Sequence, residues 1–199
     1  VPEFTDTISQ FENPSFLIEQ LAIFFNNLSS GSQLLPLLEN NPSLIKIFFI
    51  VLNSSTLISE KLSNDIKLFD LLVSKGFMDS IPSRDLIFKD LKSRINNNRD
   101  FEFIINELRR FVKERKFQIS IHLILGKINC YEASNYFTNT AEICMKFLIP
   151  VIKSNLKKRY GYPIYHLPCI LGMGKLGSCE MNFYSDLDLI LIYNPNVNY

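Results

Sequence analysis

The chain has 199 residues, 47% of them hydrophobic, and its 21 Lys and Arg nearly balance its 20 Asp and Glu, for a formal net charge of +1. This length is enough to bury a hydrophobic core without disulfides or structural metals. The near-neutral charge argues against a nucleic-acid partner, which needs a clustered excess of Lys and Arg. The first residues lack the basic start of a secretory signal, and no apolar run approaches the roughly 20 residues of a membrane span, so we expect a cytoplasmic protein with no membrane partner.

Helical spacing of apolar residues dominates the chain from Pro14 to Gly161. Asn13 and Asn41 each precede a proline, a pairing that predicts a helix N-cap followed by the first helical residue. Two longer helical segments are predicted at about 101–127 and 132–160. We therefore predict a mainly α protein with a multi-helix region over residues 1–161. The predicted core-facing stripes are Phe16, Leu17, Leu21, Phe24 and Leu28; Leu44, Ile45, Phe48, Phe49 and Leu52; and Ile66, Phe69, Leu72 and Val73.

Two further features of this region are interpreted as structural. The basic residues on the 101–127 segment alternate with Glu107 and Glu114, which favours a solvated helix side over a docking face, and no site is assigned to them. They are Arg109, Arg110, Lys113, Arg115 and Lys116. His122 stands in an apolar helical stretch and is interpreted as a hydrogen-bonded packing residue. The four cysteines form no C-x-x-C pair, which favours free thiols over a zinc site.

The pattern changes after Gly161. Residues 167–173 and 187–193 are short apolar runs that predict two strands, and the residues between them leave room for only a short helix. We therefore predict two strands with a short helix between them in residues 162–199.

The segment between these strands, GMGKLGSCEM at 172–181, resembles two common phosphate-binding loops without fitting either. Gly172, Gly174 and Gly177 satisfy the G-x-G-x-x-G spacing of dinucleotide sites, but the helix that follows has room for only about two turns. A P-loop needs Ser or Thr directly after Gly-Lys, where this chain has Leu176. Neither reading is therefore favoured.

A nucleotidyl-transfer site fits the segment better. Asp186 and Asp188 stand two apart at a strand start, so their side chains are expected to point to one side while Leu187 and Leu189 face the core. Paired carboxylates repel unless a divalent cation offsets their charge, which predicts Mg²⁺ or Mn²⁺. Two such ions, roughly 3.5–4 Å apart, would orient an attacking hydroxyl and stabilise a leaving pyrophosphate.

The Gly-Ser pair of the loop is expected to hold the nucleotide. Gly177 allows the backbone to approach the nucleotide closely. The amide and hydroxyl of Ser178, expected near a helix start, can receive a phosphate oxygen.

These motifs resemble those of the glutamine synthetase adenylyltransferases, large bifunctional enzymes with two polymerase-β-like nucleotidyltransferase domains. The resemblance is close in residues 172–181 and in SDLDLILIY at 185–193, and more diffuse in LLPLLENNPSL at 34–44 and LRRFVK at 108–113. The resemblance implies that residues 162–199 form the first two strands of an incomplete α/β polymerase-β-like nucleotidyltransferase domain. Carried over by position, it implies that Asp186 and Asp188 are catalytic metal ligands and that Gly177 and Ser178 bind the nucleotide, with Lys175 as a secondary candidate.

The resemblance also implies an activity and partners. It implies transfer of AMP from ATP to a tyrosine of glutamine synthetase, with Mg²⁺ or Mn²⁺ as cofactor, and leaves open a nitrogen-signalling regulatory protein as a second partner. The residues of the motifs look more like the adenylylating half of the bifunctional enzyme, which we favour, although Asn182 and Phe183 look more like the deadenylylating half. Two other readings stay open: a related nucleotidyltransferase with another acceptor, and a catalytically dead helical interaction fragment. Family domains supply a third carboxylate from a later strand, so we expect the 199-residue chain alone to bind a metal weakly and not to catalyse.

Overall fold

The computed structural model describes residues 2–28, 36, 38, 41–65, 67–95, 100–161 and 169–192. Within these ranges nine helices and one two-stranded sheet are formed, so the mainly α prediction is confirmed. None of the described helices is long and apolar enough to cross a membrane. The chain divides into two compact units, residues 1–81 with 120–128, and residues 82–119 with 129–199.

The helices are, in chain order, α1 Pro2–Ile8, α2 Pro14–Asn27, α3 Pro42–Ser54, α4 Thr56–Asn64, α5 Lys67–Val73, α6 Arg84–Ile95, α7 Phe101–Ile124, α8 Cys130–Tyr160 and α9 Gly174–Gly177. The strands are β1 Cys169–Gly172, which precedes α9, and β2 Leu189–Ile192, which follows it.

The first unit is built around phenylalanine side chains. Phe24 of α2 meets Phe48 of α3 and Phe69 of α5 edge to face, with ring centroids 5.0 and 5.8 Å apart. Both prolines expected at helix starts occupy that position, and the Asn13 side chain accepts a hydrogen bond from the Phe16 amide. The apolar stripes predicted for α2 and α3 are therefore largely confirmed as core. Ile66, predicted in the third stripe, lies outside the described residues.

His122 is buried in the first unit, as expected. It is 1% exposed, and its Nε2 lies 2.9 Å from the carbonyl oxygen of Phe77. The prediction of a hydrogen-bonded packing residue is confirmed.

The second unit packs α6 against α8 and carries the sheet. Helix α8 begins with a capping box, in which Asn129 and Glu132 exchange side-chain-to-backbone hydrogen bonds, and ends at Gly161 in the left-handed conformation. These two signals explain why a helix of 31 residues keeps its predicted bounds. The domain boundary predicted after residue 161 stays a prediction, because the compact units divide at other positions and residues 162–168 lie outside the described part of the chain.

The sheet is an antiparallel pair in which Gly172 stands opposite Leu189 and Cys169 opposite Ile192. The expectation that Leu187 and Leu189 face the core is wrong. Leu187 is 45% and Leu189 39% exposed, because all four residues of β2 are exposed and no second layer packs over them in the described chain.

Candidate functional site

The glycine-rich loop and the acidic pair meet at one end of the two-stranded sheet. The register that sets Gly172 opposite Leu189 continues by one residue, where the Met173 amide donates a 2.8 Å hydrogen bond to the carbonyl oxygen of Asp188. Asp188 therefore stands beside the start of α9, although 13 residues separate Gly174 from Asp188 in sequence. The backbone ladder fixes this juxtaposition.

Gly174 makes room for the Asp188 side chain. Its φ is +52°, a left-handed conformation that favours glycine, and a Cβ built on it would lie 2.6 Å from Asp188 Oδ2. A Cβ at this position would force the Asp188 carboxylate to move. The left-handed backbone and the adjacent carboxylate together favour glycine at this place in the motif.

Gly177 makes room for the backbone of β1. A Cβ at Gly177 would lie 2.6 Å from the carbonyl oxygen of Gly172, and the Gly177 amide donates to the carbonyl oxygen of Met173 at 3.1 Å. This close packing of α9 on β1 explains the glycine without a ligand. A nucleotide contact at Gly177 remains a prediction.

Ser178 lies at the end of a helix, so the expected helix-start position is wrong. It is the C-cap of α9, and its amide donates to the carbonyl oxygen of Gly174 at 3.0 Å. Its hydroxyl lies 3.2 Å from the same oxygen and 3.0 Å from Glu180 Oε2. Because the amide is already used in the turn, the nucleotide contact predicted for Ser178 rests on its hydroxyl. Lys175, one turn earlier, is exposed.

Asp186 follows a tight turn at residues 182–185. The Asn182 side chain accepts a hydrogen bond from the Tyr184 amide at 3.0 Å, and the Ser185 amide donates to the Asn182 carbonyl oxygen at 3.2 Å. Asp186 and Asp188 are both exposed and both lie in the segment that leads into β2. The structure thus brings both acids to the end of the sheet where α9 begins.

Lys116 of α7 is a neighbour of this segment that sequence reasoning missed. Its Nζ donates a 2.6 Å hydrogen bond to the carbonyl oxygen of Phe183 and lies 5.6 Å from the centre of the Phe183 ring. No sequence signal marked it, because Lys116 is one of five basic residues in the segment and lies 67 positions before Phe183. The interpretation of this cluster as a solvated helix side is wrong at Lys116, which is half-buried, and at Arg115, whose side chain is only 14% exposed.

A cleft of about 470 Å³ borders the glycine-rich loop. Gly172, Leu176 and Gly177 line it from the sheet, and Lys146 of α8 lines it together with the ion pair of Arg84 and Glu142, which are 2.5 Å apart. Its volume falls within the range of small-molecule sites. It brings two cationic side chains close to the loop.

The carboxylate oxygens of Asp186 and Asp188 suit a hard divalent cation and would supply some of its ligands. Mg²⁺ and Mn²⁺ prefer oxygen ligands, and Mg²⁺ takes about six of them. Asp186 and Asp188 supply carboxylate oxygens, and in the part of the chain that the structure describes no cluster of three or more His, Cys, Asp or Glu could hold a metal ion. The two acids therefore suit part of a magnesium site.

Comparisons with known proteins agree with the motifs. A family model described as glutamate-ammonia ligase adenylyltransferase matches residues 45–199. A protein of Agrobacterium fabrum named "bifunctional glutamine synthetase adenylyltransferase/adenylyl-removing enzyme" is 32% identical over 172 residues, covering 86% of this chain and 17% of its own length. Relatives of the same name from Brucella suis and Rhodopseudomonas palustris are 30% and 28% identical, over 86% and 98% of this chain. The chain spans 17% to 20% of the length of these relatives.

Proposed function

Because the chain belongs to the glutamate-ammonia ligase adenylyltransferase family, we propose that Asp186 and Asp188 form part of a site that transfers AMP from ATP to a tyrosine of glutamine synthetase. The observation that carries the proposal is the junction of the acidic segment with the glycine-rich loop. The Met173–Asp188 hydrogen bond and the absence of a side chain at Gly174 place one carboxylate against the loop. A nucleotide lying along the loop would have its phosphates within reach of that carboxylate's metal.

In the proposed reaction the tyrosine oxygen forms a bond to the α-phosphorus of ATP. The bond between the α-phosphorus and the bridging oxygen to the β-phosphate breaks, pyrophosphate leaves, and the phenolic proton passes to solvent. When bound, Mg²⁺ would supply charge stabilisation for the phosphate oxygens. The residues of this chain would hold that ion through Asp186 and Asp188 and contact the nucleotide through Gly177, Ser178 and Lys175.

The cleft beside the loop supports a place for the rest of the nucleotide. Lys146 adds positive charge there, the charge of Arg84 is offset by its ion pair with Glu142, and Gly177 forms part of the wall. Positive charge near a triphosphate stabilises the negative charge that shifts to the leaving group. We assign the cleft to the nucleotide in the same proposal.

The favoured direction is adenylylation, and removal of AMP by phosphate is the second candidate. The names of the relatives contain both activities, and the Asn182–Phe183 pair is the feature that favours removal. In the structure Asn182 closes the turn before Asp186, which is a structural role that either direction can use. A nitrogen-signalling regulator remains a further proposed partner.

The activity is tested on the full-length product of the gene with purified glutamine synthetase, Mg²⁺ and ATP labelled at the α-phosphate. We expect label on a glutamine synthetase tyrosine, lost in the double variant Asp186→Asn with Asp188→Asn. The matched control removes two exposed acids elsewhere, Asp70→Asn with Asp85→Asn, and should keep the activity. Equal labelling by the Asp186/Asp188 variant would contradict the proposal, and phosphate-dependent release of ADP from adenylylated glutamine synthetase without forward labelling would favour the second direction.

A further inference from the structure

Lys116 joins the helical part of the second unit to the acidic segment. Its ammonium group donates to the Phe183 carbonyl oxygen at 2.6 Å and lies over the Phe183 ring, 5.6 Å from its centre. A hydrogen bond from a charged donor is stronger than a neutral one, and the ring face adds a cation–π attraction. One side chain thus holds both the backbone and the ring of Phe183.

The residue that Lys116 holds belongs to the turn that leads into Asp186. The Ser185 hydroxyl accepts from the Asn182 amide at 2.9 Å, and the Ser185 amide donates back to the Asn182 carbonyl oxygen. These local bonds shape the turn, but they do not attach it to the rest of the unit. In the described chain, the Lys116 hydrogen bond is a contact that ties the turn to α7.

Helix α7 is a firm support for this contact. Arg115, next to Lys116, pairs with Asp90 of α6 at 2.5 Å, and Arg94 of α6 pairs with Glu114 of α7 at 2.5 Å. The two guanidinium groups also lie over the ring of buried Phe111, 5.3 and 5.4 Å from its centre. The two ion pairs, Arg115–Asp90 and Arg94–Glu114, restrict the movement of α7 along α6.

The burial of Lys116 needs a compensating interaction. Desolvation lowers the pKa of its ammonium group below the ordinary lysine value, and the negative charge of Asp186 acts in the opposite direction. A half-buried cation is costly unless it is paired with an opposite charge or hydrogen-bonded. The Phe183 carbonyl oxygen supplies that contact.

We propose that Lys116 is a positioning residue, which holds the 182–185 turn against α7 and thereby fixes Asp186 at the metal site. The inference rests on the proposed function, because it assigns Lys116 a role toward the metal that Asp186 would bind. Lys116 contacts Phe183 of the turn. The positioning role acts through this contact and is separate from the electrostatic effect of the Lys116 charge on Asp186.

The first test measures the turn without any metal. Hydrogen–deuterium exchange of a peptide covering residues 182–188 is compared between the parent chain, Lys116→Met and Lys116→Arg. We expect about tenfold faster exchange in Lys116→Met, since a charge-assisted hydrogen bond is lost, and recovery in Lys116→Arg, whose side chain can donate to the same carbonyl. Lys157→Met, an exposed lysine of α8, is the control and should exchange like the parent. Unchanged exchange in Lys116→Met would overturn the inference.

The second test measures Mn²⁺ affinity from the electron paramagnetic resonance signal of free Mn²⁺ in 0.15 M salt. It asks whether Lys116→Met raises or lowers that affinity. Removing a nearby positive charge should by itself strengthen cation binding. We expect Lys116→Met to weaken binding about three- to tenfold because Asp186 is no longer held, and Lys116→Arg to restore it. Tighter or unchanged binding in Lys116→Met would overturn the positioning role. Absence of Mn²⁺ binding by the parent would instead count against the proposed function, whereas the exchange measurement reports on Lys116 alone.

Discussion

The carboxylate of Asp188 occupies the space in which a side chain on Gly174 would begin. Asp188 Oδ2 lies 2.6 Å from the ideal Cβ position of Gly174, and Gly174 itself has a φ of +52°. The backbone hydrogen bond from Met173 to Asp188 holds the two residues together. The glycine of the loop and the acid of the strand entry are therefore one structural unit.

Replacement of Gly174 by alanine tests this unit. The added Cβ meets the carboxylate and places alanine in a left-handed conformation, so we expect Gly174→Ala to lower the free energy of unfolding by roughly 1–2 kcal/mol from backbone strain alone, with a further loss from the collision. Displacement of Asp188 should also reduce Mn²⁺ affinity at least tenfold. Urea unfolding and Mn²⁺ titration measure the two effects.

Gly126→Ala is the matched control for this change. Gly126 has a φ of +67°, but nothing lies within 4 Å of its Cβ position. Because Gly126→Ala strains the backbone without a steric clash, it should lower the free energy of unfolding by about 1 kcal/mol and leave Mn²⁺ binding intact. Equal Mn²⁺ affinities for the Gly174 and Gly126 variants would show that the Asp188 carboxylate is free to move away.

Much of the helical region follows from local signals. The Asn-Pro pairs mark helix starts through the geometry of the first turn, and Leu17, Leu21 and Phe24 repeat on one face and are buried. Each of these signals comes from residues that are close together in the chain, so it can be recognised from a single sequence. The same is true of the Gly161 stop of α8.

The missed features depend on contacts between distant residues. Lys116 is recognised by its contact with Phe183, and Gly177 is explained by its close approach to the Gly172 carbonyl oxygen. Leu189 has the alternation typical of a core strand, but its exposure depends on which layers cover the sheet. The apolar periodicity of a strand shows which of its residues are hydrophobic, but it does not show which other elements pack over the sheet.

The pairing of Asp90 with two arginines predicts an acid-sensitive contact in the second unit. Burial acts to raise the pKa of Asp90, but hydrogen bonds from Arg94 and Arg115 outweigh it, so the pKa lies below the ordinary aspartate value. A lowered pKa in the folded state stabilises the fold above the unfolded value of about 4 and loses this effect as pH falls through the folded value.

We therefore expect Asp90→Asn to lower the free energy of unfolding by about 1–2 kcal/mol at pH 7, an amount reduced by the partial exposure of the pair. The difference between the variant and the parent should shrink as pH falls below about 4 and through the lowered folded-state pKa of Asp90, since the parent then loses the charged carboxylate. Urea unfolding at several pH values measures the difference. A gap between parent and variant that is constant from pH 7 to pH 3 would contradict the role of the charged carboxylate.

The cysteines should differ in reactivity toward alkylating reagents. Burial raises the pKa of the Cys144 thiol to about 12, whereas Cys130, Cys169 and Cys179 are exposed. Because the thiolate is the reactive form, iodoacetamide at pH 8 should label the three exposed cysteines well before Cys144. Peptide mass spectrometry after timed quenching measures each rate. Labelling of Cys144 at the rate of Cys130 would be inconsistent with the packing of α8.

Metal binding by the acidic pair tests the central claim most directly. Mn²⁺ is titrated in the presence of ATP into the parent chain, into Asp186→Asn with Asp188→Asn, and into Asp70→Asn with Asp85→Asn, with free Mn²⁺ followed by electron paramagnetic resonance. We expect saturable binding by the parent and by the Asp70/Asp85 variant, and at least tenfold weaker binding by the Asp186/Asp188 variant. The same affinity in all three proteins would contradict a metal site at the junction of the glycine-rich loop and β2.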